Sequence, residues 1–210
     1  MAESFFQTWI DTRGKIQKEQ KRYEPYLPLW DTACPVWMKA WISRRKAERV
    51  GWIMKWQVAS RWTDFWQRRS GILAKMLYAG FVRHRNRLGL KLGIEMSTQN
   101  VGWGLLVVHA QGIVVNGQAI VGKNFRMTGF NCIGKGKMGH DECPRIGDNV
   151  TLGLGAKILG DVEIGDNAII GAGAVVVRSC PAPGTTLVGV PARALSRETD
   201  LTMNRDSSFA

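Results

Sequence analysis

Residues 146–176 read IGDNVTLGLGAKILGDVEIGDNAIIGAGAVV, and an aliphatic side chain returns at every sixth position. These positions are Ile146, Leu152, Ile158, Ile164, Ile170 and Val176. A small or β-branched residue stands four places after each of the first five, at Val150, Ala156, Val162, Ala168 and Ala174. A period of six fits neither an amphipathic helix, which repeats every ~3.6 residues, nor an ordinary strand, which alternates. It predicts a chain that turns a corner every six residues, so that three hexads make one triangular coil and stacked coils form a β-solenoid.

The same spacing continues upstream with two departures. Val101, Val107 and Ile113 are six residues apart, and after a slip of two residues so are Val115, Val121, Met127 and Ile133. Thirteen positions then separate Ile133 from Ile146, which predicts that residues 134–145 leave the coil as a surface loop. Residues 181–184 (PAPG) end the regular coils, and we expect the polar tail 196–210 to be flexible.

The N-terminal part of the chain differs in charge and composition. Residues 1–92 carry the whole net charge of +12, because residues 93–210 hold equal numbers of basic and acidic side chains. Eight of the nine tryptophans lie in this part, and the pairs Trp37/Trp41, Trp52/Trp56 and Trp62/Trp66 have the four-residue spacing of a helix face. We expect a loop near Pro25 and Pro28, helix interruptions at Gly51 and Gly71, and a linker over residues 83–92 that becomes extended. The sequence therefore predicts an α+β architecture: a helical domain over residues 1–92, then a left-handed parallel β-helix over residues 93–195.

Several classes of protein are excluded by composition. No apolar run approaches the ~18 residues that a membrane span requires. The first ten residues contain Glu3 and no basic side chain, unlike a signal peptide. The four cysteines, at positions 34, 132, 143 and 180, have no C-x-x-C spacing and predict reduced thiols in a cytoplasmic protein. The three histidines lack ligand spacing, so we expect no metal site, and this argues against a metal-binding structural solenoid.

Three local motifs resemble one family. Residues 109–114 (HAQGIV) resemble the segment HATGIV, residues 141–146 (DECPRI) resemble DRHPKI, and residues 189–193 (GVPAR) resemble the closing segment of the hexapeptide-repeat acyltransferases. The chain is most similar to their serine O-acetyltransferase-like branch, over about residues 88–195. The resemblance implies acetyl transfer from acetyl-CoA to a hydroxyl. It also implies a homotrimer or a dimer of trimers, with each active site between neighbouring solenoids.

The resemblance makes His109 the candidate general base. A neutral imidazole near pH 7 suits removal of a hydroxyl proton, and such a base supplies about 10²–10⁴ in rate. The family orients this histidine with an Asp fifteen residues earlier; here Glu95, fourteen residues before His109, is the candidate partner. Backbone amides of Gly134, Lys135 and Gly136 are candidates for stabilising the oxyanion. The alternatives are a surface histidine without a role and an ordinary acid at the start of a coil.

Small residues in the later coils are candidates for binding acetyl-CoA. They would keep a groove open between coils, while two basic residues meet the phosphates. The candidates are Gly153, Gly155, Ala156, Lys157, Gly171, Ala172, Gly173 and Arg193. The alternative is that these glycines serve only as coil corners.

The acceptor is predicted from where the chain departs from the family. The family pairs a free serine with an Asp just before the catalytic His and with an Arg-His pair in the loop. Here Val108, Glu142 and Cys143 take those places, Asp141 is retained, and His140 is shifted. Because an amino acid's two charges then lose their partners, we expect a saccharide hydroxyl, as in cell-surface glycan synthesis. L-serine, toward cysteine synthesis, remains the alternative, with His140 replacing the loop histidine.

The basic, tryptophan-rich domain has two interpretations. It is either a helical packing domain with solvated basic faces, or a peripheral contact with an anionic membrane or polyanionic glycan. A third kind of function follows from the second interpretation: a non-catalytic β-helix scaffold recruited to a membrane surface. No nucleic-acid-binding module accompanies the charge, so nucleic acid is not an expected partner.

Overall fold

A computed structural model describes residues 2–23, 48–136 and 142–195. This part of the chain contains three α-helices, α1 (Ala2–Lys21), α2 (Glu48–Gln67) and α3 (Ile72–Leu92). Short strands follow: β1 (Ile94–Glu95), β2 (Leu106–Val107), β3 (Ile113–Val115), β4 (Ile120–Val121), β5 (Arg126–Met127), β6 (Cys132–Gly134), β7 (Arg145–Ile146), β8 (Thr151–Leu152), β9 (Lys157–Leu159), β10 (Glu163–Ile164), β11 (Ile169–Ile170), β12 (Val175–Val176), β13 (Thr186–Gly189) and β14 (Ala192–Ala194). None of the described helices is long and apolar enough to cross a membrane.

The strands form three sheets that the chain visits in turn. Their orders are β1-β3-β6-β9-β12, β4-β7-β10 and β2-β5-β8-β11-β13-β14, and all pairs are parallel except β13 with β14. Ile146 pairs with Ile164, so one coil of the described solenoid takes eighteen residues there, as three hexads predict. The hexad aliphatics point inward as predicted, and Leu152, Ile158 and Ile170 are fully buried. The predicted parallel β-helix is confirmed.

One set of corners repeats a Gly-Asp-Asn or Gly-Lys-Asn triplet. Asn124, Asn149 and Asn167 adopt left-handed backbone angles (φ of 56°, 59° and 59°) and their side-chain amides form a ladder, with N···O distances of 3.0 and 3.1 Å. The glycine of the triplet is required by space, because a Cβ atom at Gly165 would lie 2.3 Å from the carbonyl oxygen of Pro181. Backbone therefore stacks directly on backbone at this edge.

The helical domain departs from the prediction at two places. Gly51 lies inside α2 and does not interrupt it. Residues 83–92 are the second half of α3 and not a linker, so that prediction is wrong. The helix continues because Leu88 and Gly89 are buried, and it ends where Gly93 turns left-handed (φ 68°). Gly71 does separate α2 from α3, as predicted.

Most of the described tryptophans pack between helices. Trp56 is buried, and an aromatic cluster joins the three helices with ring centroids 5.1 to 6.4 Å apart. Its members are Phe5, Trp9, Trp62, Phe65, Trp66 and Phe81. This arrangement favours the packing interpretation of the N-terminal domain. The predictions for Trp37, Trp41, the loop near Pro25 and the tail 196–210 lie outside the described residues.

Candidate functional site

His109 lies in a corner that is two residues longer than the corner below it. Val107 pairs with Met127, and Val114 pairs with Cys132. The corner of the first coil therefore contains residues 108–113, whereas the equivalent corner of the second coil contains only residues 128–131. The two-residue slip in the hexads has this corner as its structural origin. The slip was visible in the sequence, but our sequence analysis did not connect it with His109.

The part of this corner that lies beneath His109 is formed by backbone atoms. The imidazole of His109 is exposed, and its Cβ and carbonyl oxygen pack on Gly129, where an added Cβ would lie 3.0 Å from each. Gly129 donates its N–H to Asn131 Oδ1 (2.9 Å). Asn131 is fully buried, and its amide donates to the carbonyls of Gly153 (2.8 Å) and Ala156 (3.2 Å). Asn131 thus ties the second and third coils together beneath His109, a role that no motif in the sequence indicated.

Residues predicted to bind the acyl donor lie on the same edge of the solenoid. Residues 153–156 and 171–174 span the corresponding corners of the third and fourth coils, because Leu152 pairs with Met127 and with Ile170. Gly153, Gly155, Gly171, Ala172 and Gly173 belong to these corners. Since stacked strands lie about 4.8 Å apart, they extend roughly 10–14 Å along the axis from His109. The edge is long enough for an extended ligand.

The other residues predicted to bind acetyl-CoA differ in burial and in position. Ala156 is fully buried, so its side chain fills the core and only its backbone can line a groove. Lys157 is exposed, with Nζ 3.4 Å from the carbonyl oxygen of Gly155. Arg193 is exposed on β14, opposite Val188.

The glycines on this edge are also needed for coil stacking. A Cβ atom at Gly153 would lie 2.6 Å from the backbone nitrogen of Ala172, and one at Gly171 would lie 2.8 Å from Val188 Cγ1. Gly173 has open space around its α-carbon and a left-handed backbone (φ 67°). Gly153 and Gly171 therefore serve as coil corners. For the edge as a whole, both the groove interpretation and the corner interpretation apply.

Glu95 lies on β1, opposite Val114, on the face of the sheet beyond the His109 corner. Its carboxylate is exposed and shares a surface cleft with Arg85 and Asn86 of α3. Among the described residues, no hydrogen bond joins Glu95 to His109. Catalytic hydrogen bonds are often formed only in the substrate complex, so the orienting role of Glu95 stays a prediction.

The structure does not bring the described loop residues, Gly134, Lys135 and Gly136, to His109 within one chain. Gly134 ends β6, and Gly136 follows it. Both lie beside Gly160, whose N–H donates to the Gly134 carbonyl at 2.9 Å. About three residues of extended strand, roughly 10 Å, separate this end of the sheet from the His109 corner. Lys135 stands between them, and His140 and Asp141 lie outside the described residues.

The remaining acceptor candidates are uncharged. Cys143 is half-buried at the same distant corner as Gly134, with its Sγ 3.9 Å from Gln118 Oε1. Val108 is half-buried and packs against the core. In residues 2–23, 48–136 and 142–195, no group of three or more His, Cys, Asp or Glu side chains could hold a metal ion.

Comparisons with known proteins extend these observations. Residues 143–178 match the family described as bacterial transferase hexapeptide (six repeats). The chain is 39% identical over 132 residues to serine acetyltransferase 1, chloroplastic, of Arabidopsis thaliana, covering 62% of this chain and 40% of that protein. It therefore spans less than half the length of that curated relative.

Two solved structures resemble the whole chain. Serine acetyltransferase of Neisseria gonorrhoeae is 30% identical with a TM-score of 0.63, covering 92% of this chain and 70% of the other. Soybean serine acetyltransferase complexed with serine is 28% identical with a TM-score of 0.64, covering 91% and 74%. These structures have an N-terminal helical domain followed by a left-handed β-helix, which confirms the predicted fold. Motifs, fold and likenesses agree: the chain belongs to the hexapeptide-repeat acyltransferases, in their serine O-acetyltransferase-like branch.

Proposed function

We propose that this protein transfers an acetyl group from acetyl-CoA to a hydroxyl, with His109 as the general base. The observation that carries the proposal is the position of His109. Its exposed imidazole stands on the widened corner of the first coil, at the head of an edge lined by Gly153, Gly155, Gly171 and Gly173. An extended thioester lying along this edge would present its carbonyl carbon to an alcohol held by the imidazole.

The chemistry requires one proton shuttle. His109 accepts the hydroxyl proton as the oxygen attacks the thioester carbonyl, and the carbonyl oxygen becomes an oxyanion. Collapse of that intermediate breaks the C–S bond, and the departing CoA sulfur receives the proton from the imidazolium. Backbone amides near Gly134–Gly136 are proposed to stabilise the oxyanion, each such donor being worth about 3 kcal/mol. Glu95 is proposed to stabilise the imidazolium.

A homotrimer is part of the proposal, because the described residues of one chain do not complete the site. His109 and the loop residues Gly134, Gly136 and Cys143 stand at different corners of the solenoid. A neighbouring copy would bring its loop to the His109 edge. Sedimentation equilibrium should give three times the chain mass of 23.4 kDa. In mixed trimers, a His109→Ala chain and a Gly136→Pro chain should restore activity that neither has alone, and failure to do so would place base and loop in the same chain.

L-serine is the proposed acceptor. Relatives named serine acetyltransferase, one of them solved with serine bound, favour it over the saccharide that the sequence analysis preferred. The proposal requires the serine ammonium and carboxylate to find partners other than those that the family supplies, since Val108 and Cys143 carry no charge.

A neutral acceptor, such as a saccharide hydroxyl, is the second candidate. Val108, next to His109, packs against the core, and the ring of Phe130, 54% exposed, stands one residue after Gly129. Cys143, at the distant corner that a neighbouring copy would bring to His109, contacts the amide of Gln118. In the proposed trimer these residues would offer apolar contact and ordinary hydrogen bonds, which suit an uncharged ligand.

Release of CoA from acetyl-CoA, measured with L-serine, simple sugars and oligosaccharides, tests both candidates. The expected result is turnover of serine, and a Val108→Asp variant should raise kcat/KM for serine because it supplies an anion for the ammonium group. Turnover of sugars without serine would establish the second candidate instead. No turnover with any hydroxyl compound would contradict the proposed activity.

We also propose a cytoplasmic location with peripheral contact to anionic membranes. The start of α3 exposes Ile72 (82%), Leu73 (69%) and Met76 (67%) near the exposed cations Arg68 and Lys75, and apolar side chains beside cations suit an anionic lipid surface. Sedimentation with phosphatidylserine vesicles at low salt should retain the protein. A Leu73→Ser/Met76→Ser variant should be released, and equal recovery of both proteins in the supernatant would contradict the contact.

A further inference from the structure

We propose that a buried cluster of four side chains from the helical domain, Glu19, Tyr23, Gln57 and Arg61, takes the place of a coil before the first one. We further propose that Tyr23 is a positioning residue for His109. The second statement rests on the proposed function, whereas the first concerns the fold alone.

The first coil needs such a substitute because backbone groups in a solenoid bond to coils on both sides. On one side, Leu106 N–H donates to Phe125 O and Val108 N–H donates to Met127 O, both at 2.8 Å. The N–H groups of Leu105 and Val107 point the other way, where the solenoid has no further coil. Unpaired, each would cost about 1–3 kcal/mol in a buried position.

Side chains of α1, of the turn after it and of α2 satisfy these groups one by one. Glu19 Oε1 accepts from the N–H groups of Gly104 (2.8 Å) and Leu105 (3.3 Å). Tyr23 Oη accepts from the N–H of Val107 (3.0 Å), and Gln57 Nε2 donates to the Leu105 carbonyl (2.9 Å). Earlier in the same coil, the Arg61 guanidinium donates to three carbonyl oxygens, those of Thr98 (3.2 Å), Val101 (2.8 Å) and Gly102 (2.6 Å).

The four side chains also form hydrogen bonds and an ion pair with one another. Arg61 and Glu19 form a two-contact ion pair at 2.7 and 3.3 Å. Gln57 donates to Glu19 Oε2 at 2.8 Å and accepts the Tyr23 hydroxyl proton at 2.7 Å. All four residues are at most 3% exposed. Each therefore has its orientation fixed by the next, and the ends of the cluster are fixed on the backbone of the first coil.

Tyr23 is the member nearest to His109. Its partner, Val107, is the last paired residue before the six-residue corner, two positions from His109. The N–H of Val108 holds the lower side of this corner on Met127, and the N–H of Val107 holds its upper side on Tyr23. Burial raises the pKa of the Tyr23 phenol, so its hydroxyl remains protonated and can donate and accept together.

The test compares two variants that each remove a hydrogen bond between the helical domain and the first coil. Tyr23→Phe removes the acceptor of the Val107 N–H and also the bond that the hydroxyl donates to Gln57 Oε1. Thr98→Val removes the 2.6 Å bond from Thr98 Oγ1 to Asp64 Oδ2, which lies before this coil reaches the His109 corner. Tyr78→Phe, a half-exposed tyrosine on α3, controls for the substitution itself. Each variant is assayed in the full-length oligomer for kcat, for KM of acetyl-CoA and for unfolding in urea.

The expected results distinguish an effect on the position of His109 from an effect on protein stability. Tyr23→Phe should lower kcat by about 10- to 100-fold, because small misplacements of a catalytic group have effects of this size. KM for acetyl-CoA should change less than twofold, since the donor corners lie on later coils. Thr98→Val should lower stability as much while leaving kcat within twofold. Equal loss of kcat in both variants, or none in Tyr23→Phe, would overturn the positioning role.

Amide hydrogen exchange tests whether the cluster takes the place of a coil, and it does not depend on an activity assay. In the wild-type protein, the Val107 amide should exchange as slowly as the Leu106 amide, which is bonded to the second coil. Tyr23→Phe should speed exchange across residues 104–109 and leave residues 151–159 unchanged. Rapid exchange of Val107 in the wild type would overturn the inference even if acetyl transfer is observed. Absence of acetyl transfer with slow exchange would instead contradict only the proposed function.

Discussion

The first coil and the later coils share the same hexads but are held together in different ways. From Arg145 onward, each described coil rests on the next through backbone hydrogen bonds and repeated corner triplets. The first coil is bonded in this way on one side only, and side chains from α1 and α2 hold its other side. It also contains the widened corner with His109. The regular coils provide a rigid frame, and the departures from regularity coincide with the candidate chemistry.

This difference also separates two kinds of core. The later coils bury aliphatic side chains such as Ile158 and Ile170, with no charge among them. The junction with the helices buries an ion pair and an amide, each fully partnered. Buried charges are stable only while every partner is present, so this junction should be the more sensitive region to single substitutions.

The largest effect is expected at the base itself. His109→Ala should lower kcat by about 10²–10⁴, because the hydroxyl would lose its proton acceptor. The widened corner should tolerate the change, since the imidazole is exposed. Steady-state CoA release measures the effect, and His84→Ala on the exposed face of α3 is the control. Activity within a few-fold of the wild type would remove His109 from the mechanism.

The second effect tests the helical side of the comparison. Glu19→Gln should lower the free energy of unfolding by about 3–5 kcal/mol, because it removes the carboxylate paired with the buried guanidinium of Arg61 and leaves only Asp64, whose Oδ2 lies 3.9 Å away. The matched control is Asp11→Asn in the exposed Asp11–Lys15 pair of α1, which should cost about 0.5 kcal/mol or less. Urea unfolding followed by tryptophan fluorescence measures both. Similar costs for the two variants would show that the junction is not the sensitive region.

A third prediction concerns the regular coils. Gly165→Ala should destabilise the protein by about 1–3 kcal/mol, since the new methyl would overlap the backbone of residues 181 and 182. Gly14→Ala, in α1 with open space around it, should instead stabilise by about 0.5–1 kcal/mol. Thermal unfolding of the pair checks the sign of each change. A neutral Gly165→Ala would mean that the coils can separate at this corner.

The smallest effect is a pH dependence at the junction. Burial raises the pKa of Asp64 above its ordinary value of 3.8, although the Thr98 hydroxyl and the Arg61 guanidinium partly offset it. The folded state therefore holds this proton more tightly than the unfolded state, and the stability due to Asp64 falls as the pH rises from about 3.8 through the raised pKa. Asp64→Asn should lack this decline and be at least as stable at pH 7. Urea unfolding between pH 4 and 7 measures it, and parallel curves for the two proteins would contradict it.

The sequence identified the repetitive part of the molecule in detail. The inward aliphatics and the three hexads per coil followed from spacing, because every coil repeats the same local pattern, whereas the loop over residues 134–145 stays a prediction. His109 was predicted to be the base from a resemblance of six residues, and this role stays a prediction. The continuation of α3 through residues 83–92 was missed, since it depends on burial of Leu88 and Gly89 and not on local propensity.

Only the tertiary structure decided what holds the first coil and what shares an edge with His109. Glu19 bonds to Gly104 and Tyr23 to Val107 across more than eighty residues of sequence, where no periodicity connects them. Residues 109, 129, 153 and 171 come together because parallel coils stack corner upon corner. A repeat specifies its own neighbours through local spacing, whereas the end of a repeat has no neighbour of its kind. What covers it is determined by which distant side chains satisfy its backbone.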